Sequence, residues 1–288
     1  MQRDKGRNFM NCFLCNEKMV PYFCQSLYGY KRSFVRCPVC GLVIDETTYE
    51  MDEEEWSEKN RNFHTSYQGT EENMVDPDWI NRLKKQSSLF VQLFQTGAFP
   101  LESRAVDYGC GDGKLSAFFL QQYMKLDNFD GRRQVLPKIG KYDKYMSQSG
   151  DTDYFSSRDV CKKGFDIVIT CSVFEHLLGK KDVDEILGLL SDKGIFCLHT
   201  LVCEEVPEDP EWYYLLPVHC TIWTNKAMSK LYTAYGFRGC AYNVEARMWL
   251  MYKDVDMFKG LKEKSGYIDG SWFFSEDFVD FWKGKPYK

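Results

Sequence analysis

The sequence predicts an α/β fold built around a mostly parallel sheet, and two stretches carry this prediction. Residues 104–113, Arg-Ala-Val-Asp-Tyr-Gly-Cys-Gly-Asp-Gly, are typical of a strand that runs into a glycine-rich turn. Leu115, Phe118 and Phe119 then recur at helical spacing, which completes the strand, turn and helix of a nucleotide-binding α/β unit. Residues 165–171, Phe-Asp-Ile-Val-Ile-Thr-Cys, are mainly apolar, as in strands buried on both faces of a parallel sheet.

The glycine-rich turn indicates a ligand site. Glycine at positions 109, 111 and 113 permits positive φ and close approach of a ligand to the backbone. The spacing G-x-G-x-G differs from the G-x-G-x-x-G of dinucleotide sites, and Asp107 stands two residues before the first glycine. A carboxylate there would repel a pyrophosphate but suits an ammonium group, which points to S-adenosylmethionine. An incidental turn in an unrelated α/β protein is the alternative for this fragment alone.

Four cysteines near the N-terminus have metal-ligand spacing. Two C-x2-C pairs are separated by 37 − 15 − 1 = 21 residues, and the second continues into Pro and Gly that favour a tight turn. Four thiolates form a closed tetrahedral site, so we predict a structural zinc ion bound by Cys12, Cys15, Cys37 and Cys40. Redox chemistry at one C-x2-C pair is the alternative.

Composition limits the function classes. The chain has 288 residues, 44% hydrophobic content and a formal charge of −5, which gives no bulk attraction to nucleic acid or to an anionic membrane. No apolar run reaches membrane-spanning length, and residues 1–11 lack the apolar core of a signal peptide. We therefore expect a cytoplasmic protein without a membrane partner, in which the other eight cysteines are mostly small buried hydrophobes.

The remaining elements follow in an order that suits one α/β domain. The acidic run of residues 47–58 indicates a solvated face or linker, and residues 80–97 predict an amphipathic helix. Residues 138–143 predict a second strand that ends in Asp143, whose carboxylate would accept ribose hydroxyls. Asp143 follows Asp107 by 143 − 107 = 36 residues rather than the usual interval of roughly 20, so Asp127 and Asp130 stay open as alternatives. Residues 151–155 would end a third strand.

The second half of the chain predicts more alternating elements. Helices are expected over residues 182–190 and, capped by Thr224 and stopped by Gly236, over residues 224–236. Strands are expected at residues 195–201, 237–244 and 248–253. The residues after 253 are too aromatic to stay unpacked, and a lid, a dimer contact and a strap across the core are all consistent with them.

From about Ala105 to Lys253 the chain resembles class I S-adenosylmethionine-dependent methyltransferases. The resemblance rests on Val-Asp-Tyr-Gly-Cys-Gly-Asp-Gly, on Phe-Asp-Ile-Val-Ile-Thr-Cys-Ser-Val-Phe-Glu-His-Leu, on Leu-x3-Gly-Ile-Phe, and on His219, Thr224, Gly236 and Phe237. The paired cysteines, acidic stretch and tyrosine at the front are similar to bacterial small-molecule enzymes, including zinc-bearing sugar C-methyltransferases.

This resemblance implies a Rossmann-like fold with a seven-stranded, mostly parallel sheet and a small zinc-ribbon-like module. It divides the chain into a zinc-binding module (1–60), a methyltransferase domain (61–253) and an aromatic C-terminal extension (254–288). It assigns the methionine part of the cofactor to the turn, the ribose to Asp143 and the adenine to residues 152–154. The implied cofactor residues are Tyr67, Asp107, Gly109, Cys110, Gly111, Asp143, Thr152, Asp153, Tyr154, Ser172 and Val173.

Two histidines are the candidate catalytic residues. His219 falls in the insertion that normally faces substrate, so it is the first candidate for a base or substrate ligand, against a purely structural histidine. His176 follows the strand of residues 165–171, and in relatives the Glu-His pair helps to shape the cofactor site. His199 is expected to be a hydrogen-bonded core residue, and His64 has only its neighbour Tyr67 to recommend it.

The preferred hypothesis is methyl transfer to a small polar metabolite, such as a nucleotide-linked sugar or a glycan precursor. An RNA methyltransferase is the first alternative, disfavoured by the acidic balance because RNA binding requires a basic face. The only basic cluster comprises Arg132, Arg133, Lys138, Lys141 and Lys144. A non-catalytic scaffold on the same fold is the second alternative, and the sequence leaves the oligomeric state open.

Overall fold

The computed structural model describes residues 10–27, 30–65, 78–125, 136–146, 153–160, 162 and 164–280. Within these ranges the strands are β1 (Val20–Leu27), β2 (Tyr30–Arg36), β3 (Val43–Asp45), β4 (Ala105–Tyr108), β5 (Ile139–Tyr142), β6 (Phe165–Cys171), β7 (Leu190–His199), β8 (Val202–Cys203), β9 (Thr221–Thr224), β10 (Gly239–Asn243), β11 (Met248–Tyr252) and β12 (Trp272–Ser275). The α-helices are α1 (Glu46–Tyr49), α2 (Glu53–Thr65), α3 (Trp79–Gln95), α4 (Lys114–Met124), α5 (Ser157–Val160), α6 (Lys180–Leu187), α7 (Asn225–Ala234) and α8 (Val255–Lys264).

The larger sheet has seven strands in the order β12-β10-β11-β7-β6-β4-β5. Strands β5, β4, β6 and β7 are mutually parallel. Strand β11 is antiparallel to β7, β10 is antiparallel to β11, and β12 is antiparallel to β10, so five strands share one direction and two oppose it. The predicted seven-stranded, mostly parallel sheet is confirmed.

The segments that form the seven strands differ from the predicted ones at both edges of the sheet. The third strand expected to end at residues 151–155 is reduced to a single parallel bridge between Lys141 and Tyr154. There the Lys141 amide donates to the Asp153 carbonyl at 2.8 Å and the Phe155 amide donates to the Lys141 carbonyl at 2.7 Å, and the Phe155 ring packs where a Cβ at Gly140 would stand. The seventh strand is instead β12, which comes from the aromatic residues after position 253 and pairs with β10.

Helices cover both faces of this sheet. Apolar residues of α3, α4 and α8 form one cluster with Ile167 and Ile169 of β6. Apolar residues of α6 and α7 form another cluster, which includes Val168 of the same strand. Successive side chains of β6 therefore face opposite, equally buried layers, which explains its nearly continuous apolar sequence. In the described part of the chain no helix has both the length and the hydropathy to cross a membrane.

A second sheet of five strands combines the N-terminal residues with the insertion that precedes α7. Its order is β1-β2-β3-β9-β8, and Val43 and Ile44 of β3 pair with Ile222 and Thr221 of β9. Thr224 caps α7 by accepting a hydrogen bond from the Ala227 amide, as its position predicted, and its hydroxyl donates to the Cys40 carbonyl. The N-terminal strands and the insertion are therefore one structural unit.

A buried arginine on β2 forms hydrogen bonds with both parts of this unit. Arg32 of β2 donates from Nε to Asp45 Oδ2 at 2.7 Å. Its two Nη groups donate to the carbonyl oxygens of Leu215, Leu216 and His219 at 3.2, 2.9 and 2.7 Å. One guanidinium therefore binds a buried carboxylate and three carbonyls of the loop before β9, of which the Leu216 carbonyl also accepts a hydrogen bond from the His219 amide.

Replacing Arg32 by Met is expected to lower the free energy of unfolding by about 3 to 5 kcal/mol, since it leaves the Asp45 carboxylate buried and unpaired. Urea-induced unfolding followed by circular dichroism measures this change. The matched control is Arg36→Met on the same strand, whose ion pair with Glu205 is largely exposed and should contribute less than about 1 kcal/mol. Equal losses for the two variants would contradict the role given to Arg32.

Candidate functional site

The glycine turn after β4 combines close packing with open space. Gly109, Gly111 and Gly113 all have positive φ, at 75°, 55° and 77°. A Cβ at Gly109 would stand 2.6 Å from Cγ2 of Val173, so packing as well as φ requires glycine there. A Cβ at Gly111 would meet nothing within 4 Å. The backbone at Gly111 therefore borders free space in which a ligand fits.

The end of β5 holds this turn in place. The amides of Gly109 and Cys110 both donate to the Tyr142 carbonyl, at 2.7 and 3.1 Å. The Gly111 amide donates to Asp143 Oδ2 at 2.9 Å, and the Tyr154 hydroxyl donates to the Gly111 carbonyl at 2.6 Å. Three consecutive amides thus have fixed partners, so the shape of the turn is set before any ligand arrives.

Asp107 is a buried carboxylate at the base of the turn. Its exposed fraction is 2%, and burial together with the nearby Asp143 carboxylate raises its pKa to about 7, while Lys141 opposes the shift. A carboxylate in such surroundings gains from a cationic partner more than an exposed one does, because little water competes for it. Asp107 is thus a buried anionic group at the base of the turn, and its contact with an ammonium group stays a prediction.

Asp143 lies directly after β5, at the carboxyl edge of the sheet. Its Oδ1 accepts hydrogen bonds from the amides of Tyr145 and Met146 at 2.9 and 3.0 Å, while its Oδ2 accepts one from the Gly111 amide. Burial raises its pKa, and these amides oppose the shift. The two alternatives for this role, Asp127 and Asp130, lie outside the described residues.

One cavity of about 1060 Å³ brings most of the predicted site residues together. Its lining includes Asp107, Gly109, Cys110, Gly111, Asp143, Ser172, Val173, His176 and His219. Asp153 and Tyr154 are not among the described residues that line it: Asp153 lies 3.8 Å from Lys138 Nζ, and Tyr154 supports the turn from behind. Tyr67 and Thr152 lie outside the described residues.

Ser172 and Val173 form the wall opposite the turn. Ser172 has a positive φ of 58°, which is uncommon for a residue other than glycine, and its amide donates to the His199 carbonyl at 2.8 Å. The chain therefore bends sharply where β6 ends, and the bend brings Val173 against Gly109.

All four histidines of the chain line this cavity. The His176 ring centroid lies 5.1 Å from that of His64 and 5.0 Å from that of His219. Burial lowers the pKa of His64 to about 3 and of His176 to about 4, and it places the pKa values of His199 and His219 well below the usual range. These imidazoles are therefore neutral at physiological pH.

His219 has a defined tautomer. Its Nδ1 lies 2.8 Å from the Tyr214 carbonyl oxygen, which only accepts, so Nδ1 carries the proton and Nε2 carries the lone pair. Arg32 holds the backbone of the same residue. His199, by contrast, ends β7 with Nδ1 2.7 Å from the Arg247 carbonyl oxygen, as expected of a hydrogen-bonded structural histidine.

Two further charged residues line the cavity: Glu175, which the sequence suggested only as the neighbour of His176, and Arg82, which was missed. Glu175 is 3% exposed, and its Oε2 accepts a hydrogen bond from the Thr200 hydroxyl at 2.8 Å. Burial raises its pKa, against the effect of Thr200, Tyr214 and Arg82. Arg82 lies on the buried face of α3 together with Gln86. Polar residues at this i, i+4 spacing within an apolar helix face are a signal that would have identified Arg82.

The four paired cysteines form a separate cluster. Their ligand atoms all lie within 4.8 Å of one another, with Sγ distances of 3.6 Å for Cys12 and Cys40 and 3.3 Å for Cys15 and Cys37. A tetrahedron with metal–sulfur bonds of about 2.3 Å has sulfurs roughly 3.8 Å apart, so this set fits one ion. The shared hydrogen bond lowers the pKa of Cys12 to about 5 and raises that of Cys40.

Comparison with solved structures finds chains that are 12% to 14% identical to this one. An O-methyltransferase family protein from Burkholderia thailandensis is 12% identical over 69% of this chain and 61% of its own, with a TM-score of 0.43. A magnesium protoporphyrin IX methyltransferase from Synechocystis is 14% identical over 71% of this chain and 98% of its own, with a TM-score of 0.41. The plantazolicin methyltransferase is 14% identical over 70% of this chain and 97% of its own, with a TM-score of 0.40.

The sequence itself identifies the family. No curated protein matches the chain. The family described as methyltransferase domain matches residues 79–241, which are 241 − 79 + 1 = 163 of the 288 residues. This range contains β4, the glycine turn, β6 and the loop that carries His219. The chain therefore belongs to the methyltransferase domain family and is a methyltransferase.

Proposed function

We propose that this methyltransferase takes its methyl group from S-adenosylmethionine and transfers it to a small polar metabolite. The observation that carries the proposal is the buried Asp107 carboxylate beside the open backbone at Gly111, in the same cavity as His219. Asp107 and the backbone at Gly111 suit the amino acid end of the donor. His219 suits an acceptor that must lose a proton.

The donor would occupy the turn and the end of β5. When bound, S-adenosylmethionine supplies a methyl group on a sulfonium that a nucleophile displaces in line. Asp107 would hold its ammonium, the backbone from Gly109 to Gly111 its methionine part, and Asp143 its ribose. The contacts proposed for Tyr67 and for Thr152, Asp153 and Tyr154 rest on the family resemblance, and Ser172 and Val173 would close the pocket.

The acceptor would lie toward the histidines. His219 donates a hydrogen bond from Nδ1 to the Tyr214 carbonyl, so its Nε2 carries a lone pair. It would act as the base or as a substrate ligand. His176 would shape the boundary between donor and acceptor. Ligand pockets commonly span about 300 to 1,000 Å³, so the cavity of about 1060 Å³ has room for the donor and a small acceptor.

Two observations favour a small molecule over RNA. The formal charge of −5 is opposite to what a polyanion requires. Two lysines of the single basic cluster also lie beside carboxylates, with Lys138 Nζ 3.8 Å from Asp153 and Lys144 Nζ 3.0 Å from Glu53. A nucleotide-linked sugar or a glycan precursor is proposed on the resemblance alone, and the scaffold alternative is disfavoured by the intact Asp107 and turn.

The cysteine cluster would hold a structural zinc ion. Four thiolates leave no coordination position for a substrate, so the ion would stabilise the N-terminal strands and take no part in the chemistry. Its contact with Thr224 and the pairing of β3 with β9 connect it to the loop that carries His219.

Asp107→Asn is expected to weaken S-adenosylmethionine binding by about 10- to 100-fold, because a hydrogen bond to a charged group is replaced by a neutral one of the same shape. Isothermal titration calorimetry measures the affinity. Asp192→Asn, an exposed change on β7, is the matched control and should bind as the wild type does. An unchanged affinity in a folded Asp107→Asn protein would exclude the proposed ammonium contact.

The affinity for the donor should also fall as the pH drops from about 7 to about 5, approaching tenfold per pH unit. The ammonium binds the ionised Asp107, and protonation through its pKa of about 7 removes that partner. His64 and His176, with pKa values of about 3 and about 4, stay neutral over this range. Calorimetry across these pH values should find a much smaller slope in Asp107→Asn; an equal slope would assign the titration to another group.

The acceptor class is tested by measuring S-adenosylhomocysteine release with separated cell-extract fractions. We expect release with the small-molecule fraction and none with purified RNA. His219→Gln should reduce the rate by about 100-fold or more while donor binding is retained. Release with RNA alone would establish the alternative, and donor binding without turnover in any fraction would favour a scaffold.

A further inference from the structure

Two histidines and a carboxylate converge at the acceptor end of the cavity. Candidate ligand atoms of Glu175, His176 and His219 all lie within 4.8 Å of one another. Glu175 and His176 end the short 3-10 turn after β6, and His219 comes from the loop before β9. The Cys220 amide donates to the Glu175 carbonyl at 2.9 Å, so the two segments are joined next to the three side chains.

The histidine hydrogen bonds leave one lone pair of each ring directed away from the backbone. His219 donates from Nδ1 to the Tyr214 carbonyl, which leaves Nε2 bare. The His176 ring is hydrogen-bonded to the Val218 backbone, while its Nδ1 is buried and has no hydrogen-bond partner among the described residues. A backbone carbonyl on one ring nitrogen is the arrangement that orients metal-binding histidines.

Glu175 supplies the anionic ligand. It is 3% exposed, and the Thr200 hydroxyl donates to its Oε2 at 2.8 Å. The Tyr214 hydroxyl is a second hydrogen-bond partner of this carboxylate. A carboxylate has about four lone-pair sites, so the two hydroxyls orient it without exhausting its capacity. Burying a carboxylate is costly, and a bound cation offsets that cost.

We propose that Glu175, His176 and His219 bind one divalent first-row transition-metal ion. Two imidazoles and one carboxylate with open positions are a recognised donor set for such ions. Three protein ligands leave positions open toward the cavity. This site is distinct from the four-cysteine cluster, which offers only sulfur.

The proposed ion restricts the class of methyl acceptor, an inference that rests on the proposed function. The ion would bind the hydroxyl oxygen of the substrate and lower the pKa of that hydroxyl, so that the proton leaves to solvent. The oxygen then forms a bond to the methyl carbon as the carbon–sulfur bond breaks, and that electron pair goes to sulfur. The acceptor class is therefore a hydroxyl-bearing molecule, and His219 holds the ion in place of taking the proton itself.

The test uses Mn²⁺, which prefers oxygen and nitrogen over thiolate ligands, with the full chain first loaded with no more than one zinc ion per chain, so that the four thiolates hold the zinc and the second site stays vacant. Electron paramagnetic resonance should count one bound Mn²⁺ per chain, and its pulsed form should detect imidazole nitrogen coupling in the wild type. Glu175→Gln and His176→Ala should each raise the Kd for Mn²⁺ by about 100-fold or more. His199→Asn, a histidine of the same cavity outside the cluster, should leave the Kd unchanged.

Binding of S-adenosylmethionine, measured separately by calorimetry, distinguishes the two proposals. A protein that binds the donor but takes up no Mn²⁺ at millimolar concentration would overturn the metal site and leave the proposed function intact. Bound Mn²⁺ without nitrogen coupling, or with equal Kd in His176→Ala and His199→Asn, would also overturn it. Mn²⁺ binding with the expected coupling in a protein that does not bind the donor would support the site and reject the donor.

Discussion

The position of the acceptor end of the cavity depends on one guanidinium group. Arg32 lies on a strand of the small sheet, yet three of its hydrogen bonds go to carbonyls of the loop that ends in His219. The same group neutralises Asp45 at the end of β3. Because β3 also pairs with β9, the N-terminal strands and the loop that carries His219 are joined at two places. The cysteine cluster therefore supports the site although it lies apart from the cavity.

The cavity separates two electrostatic environments. At the donor end, Asp107 and Asp143 are both buried and both have raised pKa values, which suits a cationic ligand with hydroxyl groups. At the other end, burial keeps the imidazoles neutral, so they offer lone pairs and no positive charge. This difference supports the proposal of a cationic donor at one end and of an acceptor that loses a proton at the other.

Features encoded within a short stretch were predictable from the sequence. The glycine turn, β4, β6 and the paired cysteines depend on local spacing and on periodicity. The small sheet was not predictable, because β3 and β9 lie nearly 180 residues apart and no pattern within either strand specifies its partner. The convergence of Glu175 and His176 with His219 was not predictable for the same reason, because His219 comes from a distant loop. Arg82 was missed although its i, i+4 spacing with Gln86 marks polar residues on an apolar helix face.

The seventh strand gives the C-terminal extension a place in the large sheet. Strand β10 would otherwise form the edge of this sheet, and β12 pairs with it in a four-residue antiparallel ladder. The residues after β12 hold it there, because Trp249 Nε1 donates to the Val279 carbonyl at 2.9 Å and the Trp249 ring stacks on Phe278. The edge of the sheet is therefore moved outward to β12, which has four residues. A short edge strand offers few backbone groups for pairing between molecules, and this one lies outside residues 79–241, which the family matches.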